Sequence, residues 1–363
     1  RGGSITTPFA RKGIVLSSSN PPPGTTREKA LEHWGLDGVS LGISVGGSSN
    51  NSEWKRAREW VARADRAGLH SVWMPEMHFA PGGNTSPLLC LASLAACTQK
   101  IRLATTSLLI PIHNPLRVAE EIASLDQLSR GRAIIGLGRG FRAPLFSAFG
   151  INPSTKRERF DAALDLILSA WQGEEISLEG TVFETADTPA GIKIASPYQR
   201  PHPPLAVAAF GQKGLAQAAR RGLPYLASPI ETFDQICENL ARHREAIGET
   251  PCPGRWITPL MRTVFVSKDP SACARVMDGL AREGRGGPAS AKLPAAVARA
   301  VTAPARERVV VGGPEEVTER LTQYKKNCGM NLLIVRPQLP GANESEGRTS
   351  FEHLVEDVMP ALN

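Results

Sequence analysis

Eight apolar runs of strand length alternate with eight helical patterns along this chain, and few folds satisfy that rhythm. The runs are 39–45 (VSLGISV), 71–75 (SVWMP), 101–110, 132–138, 204–209, 223–228, 257–266 and 331–335. Helical periodicity covers 51–67, 86–98, 116–129, 155–171, 213–221, 231–246, 270–283 and 314–328. The runs are apolar almost throughout rather than alternating, as strands buried on both faces of a parallel sheet are. Eight strand–helix units in series predict an α/β fold, a (β/α)8 TIM barrel with insertions. A doubly wound sheet is the alternative, but the turn after its first strand carries GxGxxG, and no such motif follows VSLGISV.

Two stretches interrupt the rhythm. Residues 173–203 predict a short β excursion closed by Pro-rich turns. Residues 284–308 are rich in Ala, Gly, Pro and Arg and follow the seventh run, on the face where barrel enzymes keep their active site. They read either as a lid or as a surface excursion. Residues 1–38 read as an N-terminal extension, with the turn-rich SSSNPPPGTT before a short helix capped by Thr25 or Thr26. The barrel then occupies 39–363.

No run approaches the ~18 apolar residues of a membrane span, and residues 1–38 hold no apolar signal core, so a cytoplasmic protein without a membrane partner is expected. The net charge of +7 is interleaved with acids, as in KRAREW, which is the pattern of solvated helix faces. With no nucleic-acid motif beside it, no nucleic-acid partner is expected. Six cysteines without CxxC spacing read as buried, reduced thiols, and seven histidines without HxxxH or HExxH spacing predict no metal.

Barrel sites lie at the C-terminal ends of the strands, which here gives a short set of residues. The second run delivers Glu76, Met77 and His78. The third delivers Thr105, Thr106 and Ser107, then PIHNPLR with His113 and Asn114. The fourth delivers Arg139 and Gly140 in GLGRGF, and the fifth delivers Gly211, Gln212, Lys213 and Gly214 at the start of a helix. Glycines and free N–H groups at a helix start, with Lys213 and the fork of Arg139, suit one phosphate. The plainer readings are an ordinary Gly-rich turn and an exposed ion-pair partner. The TTS trio reads as a strand rim or as a wall for a flat ring. His78 reads as a polar site group or as a side chain packed under its loop.

The stretches SVWMPEMHF, IRLATTSLLIPIHNPLRVAEEIASLDQLSRGRAIIGLGRGF and GGPEEVTERL resemble the bacterial luciferase-like, flavin-dependent monooxygenases over about residues 39–338. The resemblance implies a (β/α)8 barrel that takes reduced FMN (FMNH2) from a separate flavin reductase. With O2 it forms a C4a-peroxyflavin and inserts one oxygen into a small organic substrate; a homodimer is expected. By the same resemblance, Arg139 is the FMN-phosphate arginine. The turn 211–214 binds that phosphate through Gly211, Gln212, Lys213 and Gly214 in place of the family's Ser and Thr. Thr105, Thr106 and Ser107 back the flavin ring, with a non-prolyl cis peptide at Thr106–Ser107. His78, Glu76 and Asn114 are the catalytic candidates. Two departures stand out. Met77 takes the place of the luciferases' catalytic histidine, and Gly138 that of their reactive cysteine, so light-emitting aldehyde oxidation is not expected. The alternatives are a deazaflavin-dependent hydride-transfer enzyme of the same fold and a non-catalytic flavin-binding subunit.

Overall fold

Strand-forming runs appear where the sequence places them: β1 Ser40–Ser44, β2 Ser71–Met74, β3 Arg102–Leu108, β4 Ala133–Gly138, β5 Leu205–Ala208, β6 Tyr225–Leu226, β7 Pro259–Val266, β8 Val309–Gly312 and β9 Leu332–Val335. The computed structural model describes residues 25–46, 50–80, 82–185, 191–285 and 295–363. Its strands form one parallel sheet in the order β6–β5–β4–β3–β2–β1–β9–β7–β8. Ala227, just past β6, also bridges Leu260 of β7, so β1–β7 and β9 close into an eight-stave barrel. The eight expected runs are these staves.

β8 was not expected. VVVG is only four residues long and lies between Arg308 and Gly313-Pro314. It pairs with the outer half of β7, Thr263–Val266, while the inner half, Pro259–Arg262, pairs with β9. The excursion at 173–203 forms no paired strands among its described residues. A single antiparallel bridge, Ile176 to Ile192, takes their place, and Ile176 and Leu178 are buried in the main core.

Alternation along the strands sorts side chains into two layers. Trp73, Ala104, Ile134, Ala206, Leu226 and Ile334 form a cluster inside the barrel. Val72, Leu103, Ile135 and Val207 face outward into the larger core shared with the helices. Each large aliphatic residue so buried contributes about 1.5–3 kcal/mol. The helix Arg27–Trp34, N-capped by Thr26, sends Trp34 into the inner cluster. Just before β2, His70 Nε2 donates to the Trp34 carbonyl at 2.8 Å. This helix therefore stops the N-terminal end of the barrel and leaves the other end open.

The outer helices start at side-chain caps, such as Asn50 for Asn51–Arg66 and the reciprocal Thr232–Gln235 box for Phe233–Ile247. The C-terminal helices Glu344–His353 and Met359–Leu362 were not expected. Of the insertion at 284–308, residues 286–294 lie outside the described residues. The rest includes a helix, Ala295–Thr302, and a turn of helix, Ala305–Arg308. Cys252 and Cys328 are buried free thiols, whereas Cys97 is an exposed one. No helix among the described residues is long and apolar enough to cross a membrane.

Candidate functional site

A cavity of about 520 Å³ opens at the C-terminal ends of β2–β5. Glu76, His78, Thr106, Ser107, Arg139 and Gly140 line it. These come from three separate strand ends, which the barrel closure brings together.

The anion-binding half is built around Arg139. Gly140, with φ of 65°, turns the chain back immediately after it. Gly214 then leaves the space that the guanidinium fills: a Cβ there would lie 2.1 Å from Arg139 Nη2. Arg139 Nε is buried and has no hydrogen-bond partner. Lys156 and Arg157 line the same cavity, and among the described residues none of the three forms an ion pair. Burial, then the charge of Arg157, pushes the Arg139 pKa down. Burial, then Arg139 and Arg157, does the same to Lys156. Three cations without a direct ion-pair partner among the described residues and an orphaned buried N–H make a site that fits a phosphate. Beside them, Gly211 (φ 73°) starts the helix Gln212–Arg220 with no side-chain cap. Gln212 and Lys213 are exposed there.

The wall is β3. The peptide bond Thr106–Ser107 is cis, as the resemblance implies. Thr106 and Ser107 face the cavity, and Thr106 Oγ1 donates to Met261 Sδ at 2.9 Å. Thr105 is on the opposite face of the strand. It is buried, with its Oγ1 donating to the Gly136 carbonyl at 2.9 Å, so its side chain is not available to a ligand. Gly138 is required by Ser107, since a Cβ at 138 would sit 2.0 Å from Ser107 Oγ.

The proton-handling half is a carboxylate between two imidazoles. Glu76 Oε1 lies 2.7 Å from His78 Nε2 and 2.6 Å from His113 Nε2. Its Oε2 accepts the Leu109 N–H at 2.6 Å. Burial alone would raise the Glu76 pKa, but the contacts with His113, Leu109 N–H and His78 outweigh it and hold the carboxyl below its ordinary value. An ionised carboxylate only accepts, so both imidazoles donate their Nε2–H, and the Nδ1 of each remains for proton exchange. Aromatic side chains rim the cavity. The Phe149 ring meets His78 edge-on at 5.0 Å, and Phe79 lies 5.7 Å from Phe149.

Asn114, expected as a catalytic group, does not line this cavity; it lines a neighbouring one with Glu76 and His113. It is exposed, and its Oδ1 accepts from Leu116 and Arg117 N–H as the N-cap of Pro115–Ser129. The polar group that this loop sends to Glu76 is the preceding residue, His113. Lys156 and Arg157 were missed because KRER at a helix start reads as a solvated face. Met261 carried no sequence signal at all.

The family described as luciferase-like monooxygenase matches residues 38–330. The uncharacterized protein y4wF of Sinorhizobium fredii is 38% identical over 159 residues, 44% of this chain and 46% of y4wF. The chain thus matches about half the length of that relative. The oxygenase component of flavin-dependent trigonelline monooxygenase from Acinetobacter baylyi is 26% identical over 83% of this chain and 87% of that protein. An F420-dependent glucose-6-phosphate dehydrogenase from Amycolatopsis mediterranei is 26% identical over 84% of this chain and 93% of its own. Among solved structures, the FMN complex of the oxygenating constituent of 3,6-diketocamphane monooxygenase from Pseudomonas putida superposes with a TM-score of 0.70. It is 21% identical and covers 89% of this chain and 98% of that one, a likeness of fold.

Proposed function

Since the chain belongs to the luciferase-like monooxygenase family, we propose that it is an oxygenase using reduced FMN and O2 to place one oxygen atom on a mid-sized organic substrate. In this reading a separate reductase supplies the flavin, and the protein works as a cytoplasmic homodimer. The observation that carries it is Arg139: a buried guanidinium with an orphaned Nε, seated over Gly214 and joined by Lys156 and Arg157. When bound, reduced FMN supplies the reaction with O2.

The chain's own residues do the rest. Arg139 and the N–H groups at 211–214 hold the phosphate. Thr106 and Ser107 form the wall for the flat ring, and Phe79, Phe141 and Phe210, which line the same cavity, limit the water around it. His78 exchanges a proton at Nδ1 while Glu76 steadies the resulting charge. The test is anaerobic titration with reduced FMN followed by rapid mixing with O2. We expect stoichiometric binding and an absorbance, distinct from reduced and oxidised FMN, that lasts for seconds. Absence of binding, or immediate reoxidation, refutes it. The F420-dependent relative favours a second reading, deazaflavin-dependent hydride transfer, for which turnover with reduced F420 and none with FMN is the signature. A chain inert with both cofactors is a non-catalytic subunit.

A further inference from the structure

A second cavity, of about 430 Å³, lies on the other side of Met261. It shares no lining residue with the first. The partition is the side-chain pair Thr106–Met261: Thr106 faces the first cavity, Met261 faces the second, and the hydroxyl donates to the sulfur at 2.9 Å. One helix roofs both, since Val297 lines the first cavity and Val301, one turn on, lines the second. That helix is fastened to Phe233–Ile247 by Arg299 donating to Glu238 at 2.8 Å. The volume is in the range of small-molecule pockets.

The second cavity is mainly apolar, with Ile230, Met261, Leu280, Val301, Val309 and Ile334 in its wall. Three arginines interrupt it, and only one is unengaged. Arg336 forms a two-pronged pair with Glu283, both distances 2.9 Å. Arg262 donates to the carbonyls of Ser228, Pro229, Glu231 and Met261 and to the Tyr324 hydroxyl, which saturates it. Arg308 forms no hydrogen bond or ion pair among the described residues, and its Nε is buried without a partner. Burial, then the neighbouring charge of Arg262, pushes its pKa down. A guanidinium half-stripped of water beside a second cation lacks an oxyanion, and its planar fork suits a carboxylate.

We propose that this cavity is the substrate pocket and takes an apolar organic acid, its carboxylate held by Arg308 and its reacting end against Met261, the side chain that must swing away from Thr106 for that end to reach the flavin cavity. The placement of the reacting end rests on the flavin reading; the carboxylate site does not. An FMN phosphate would be held by Arg139, Lys156 and Arg157 in the other cavity, which leaves Arg308 for the substrate. The apolar wall favours an aliphatic or ring acid over a sugar phosphate.

The test compares octanoate with octanamide, equal in length and differing in charge, by calorimetric titration of the full chain with and without FMN. FMN binding is followed separately by flavin fluorescence. We expect octanoate to bind at least about tenfold tighter, Arg308→Met to erase the preference, and Arg308→Lys to keep part of it. Val301→Phe, which fills the cavity, should weaken both probes, and all three variants should bind FMN as the parent does. Equal binding of the two probes, or a preference that survives Arg308→Met, overturns the proposal. Displacement of octanoate by inorganic phosphate at equal concentration also overturns it, by showing a site for a free anion. Arg308-dependent octanoate binding in a chain that does not bind FMN would uphold the acid pocket and refute the flavin reading.

Discussion

Gly214→Ala separates flavin binding from folding, because the two should move in opposite directions. Gly214 is the third residue of the helix Gln212–Arg220 and its φ is not left-handed. An alanine there is no backbone strain and favours the helix by up to about 1 kcal/mol. Its Cβ, however, would lie 2.1 Å from Arg139 Nη2 and 3.0 Å from Arg139 Cζ and Ala209 Cβ. The guanidinium is the free end of a long side chain, so it swings aside at little cost to the fold. What is lost is the fork over the phosphate. Hydrogen bonds to a charged group contribute about 1.5–3 kcal/mol, so displacing the fork should weaken FMN binding roughly 10- to 150-fold. Two measurements check this: fluorescence titration of FMN at fixed salt and thermal melting of the ligand-free chain. Arg139→Met should give a similar loss, and the double variant should add little to either single one. FMN binding unchanged in Gly214→Ala would refute the assignment of Arg139. A lower melting temperature would show that backbone, not side chain, bears the clash.

Other perturbations are as direct. Gly138→Cys restores the luciferases' residue but drives a Cβ to 2.0 Å from Ser107 Oγ. It should cost about 1–3 kcal/mol in urea unfolding, and Ser107→Gly in the same chain should return most of it. Glu76→Gln sets an amide among three N–H donors, from His78, His113 and Leu109. One donor is left facing another, which should lower stability by about 1–3 kcal/mol by the same assay. His33, His70 and His243 are each held down to about 4, chiefly by burial. The unfolded chain takes up those protons from pH 6.5 downward and the folded chain does not until about 4. Each histidine therefore leaves stability untouched above 6.5 and removes ~3 kcal/mol by pH 4. Melting temperatures that stay level between pH 7 and 5 would refute this, and His243→Gln should flatten the decline.

Strand positions and the staves' order were legible because burial on both faces leaves a continuous apolar run, a signal carried by each segment alone. β8 was not, since VVVG is stabilised by pairing with the outer half of β7 rather than by a pattern of its own. The site divides in the same way. Arg139, Gly214 and the cis bond at Thr106–Ser107 could be read from local chemistry and resemblance. Asn114 and His113 are adjacent, so sequence could place both at the rim. Only the tertiary fold shows that one caps a helix while the other reaches Glu76. Arg308 and Met261 acquire meaning only through the cavity they share, across more than forty residues of chain.

Met77 raises the question of where proton transfer takes place in a pocket whose family histidine is missing. Met77 is 42% exposed, so a proton carrier there would exchange freely with solvent. His78, one residue on, is only 9% exposed and rests on a Glu76 side chain that is 0% exposed. Glu76 borders two cavities, the flavin-sized one through His78 and a wider one of about 610 Å³ through His113. His113, at 32% exposed, is the more open of the two imidazoles. On the proposed reading, the inner imidazole meets the reaction and the outer one meets water, with a carboxylate held below its ordinary pKa between them. Losing the rim histidine then removes a leak rather than a function. The side chain that replaces it adds apolar surface, as an apolar acid entering from the neighbouring pocket would require.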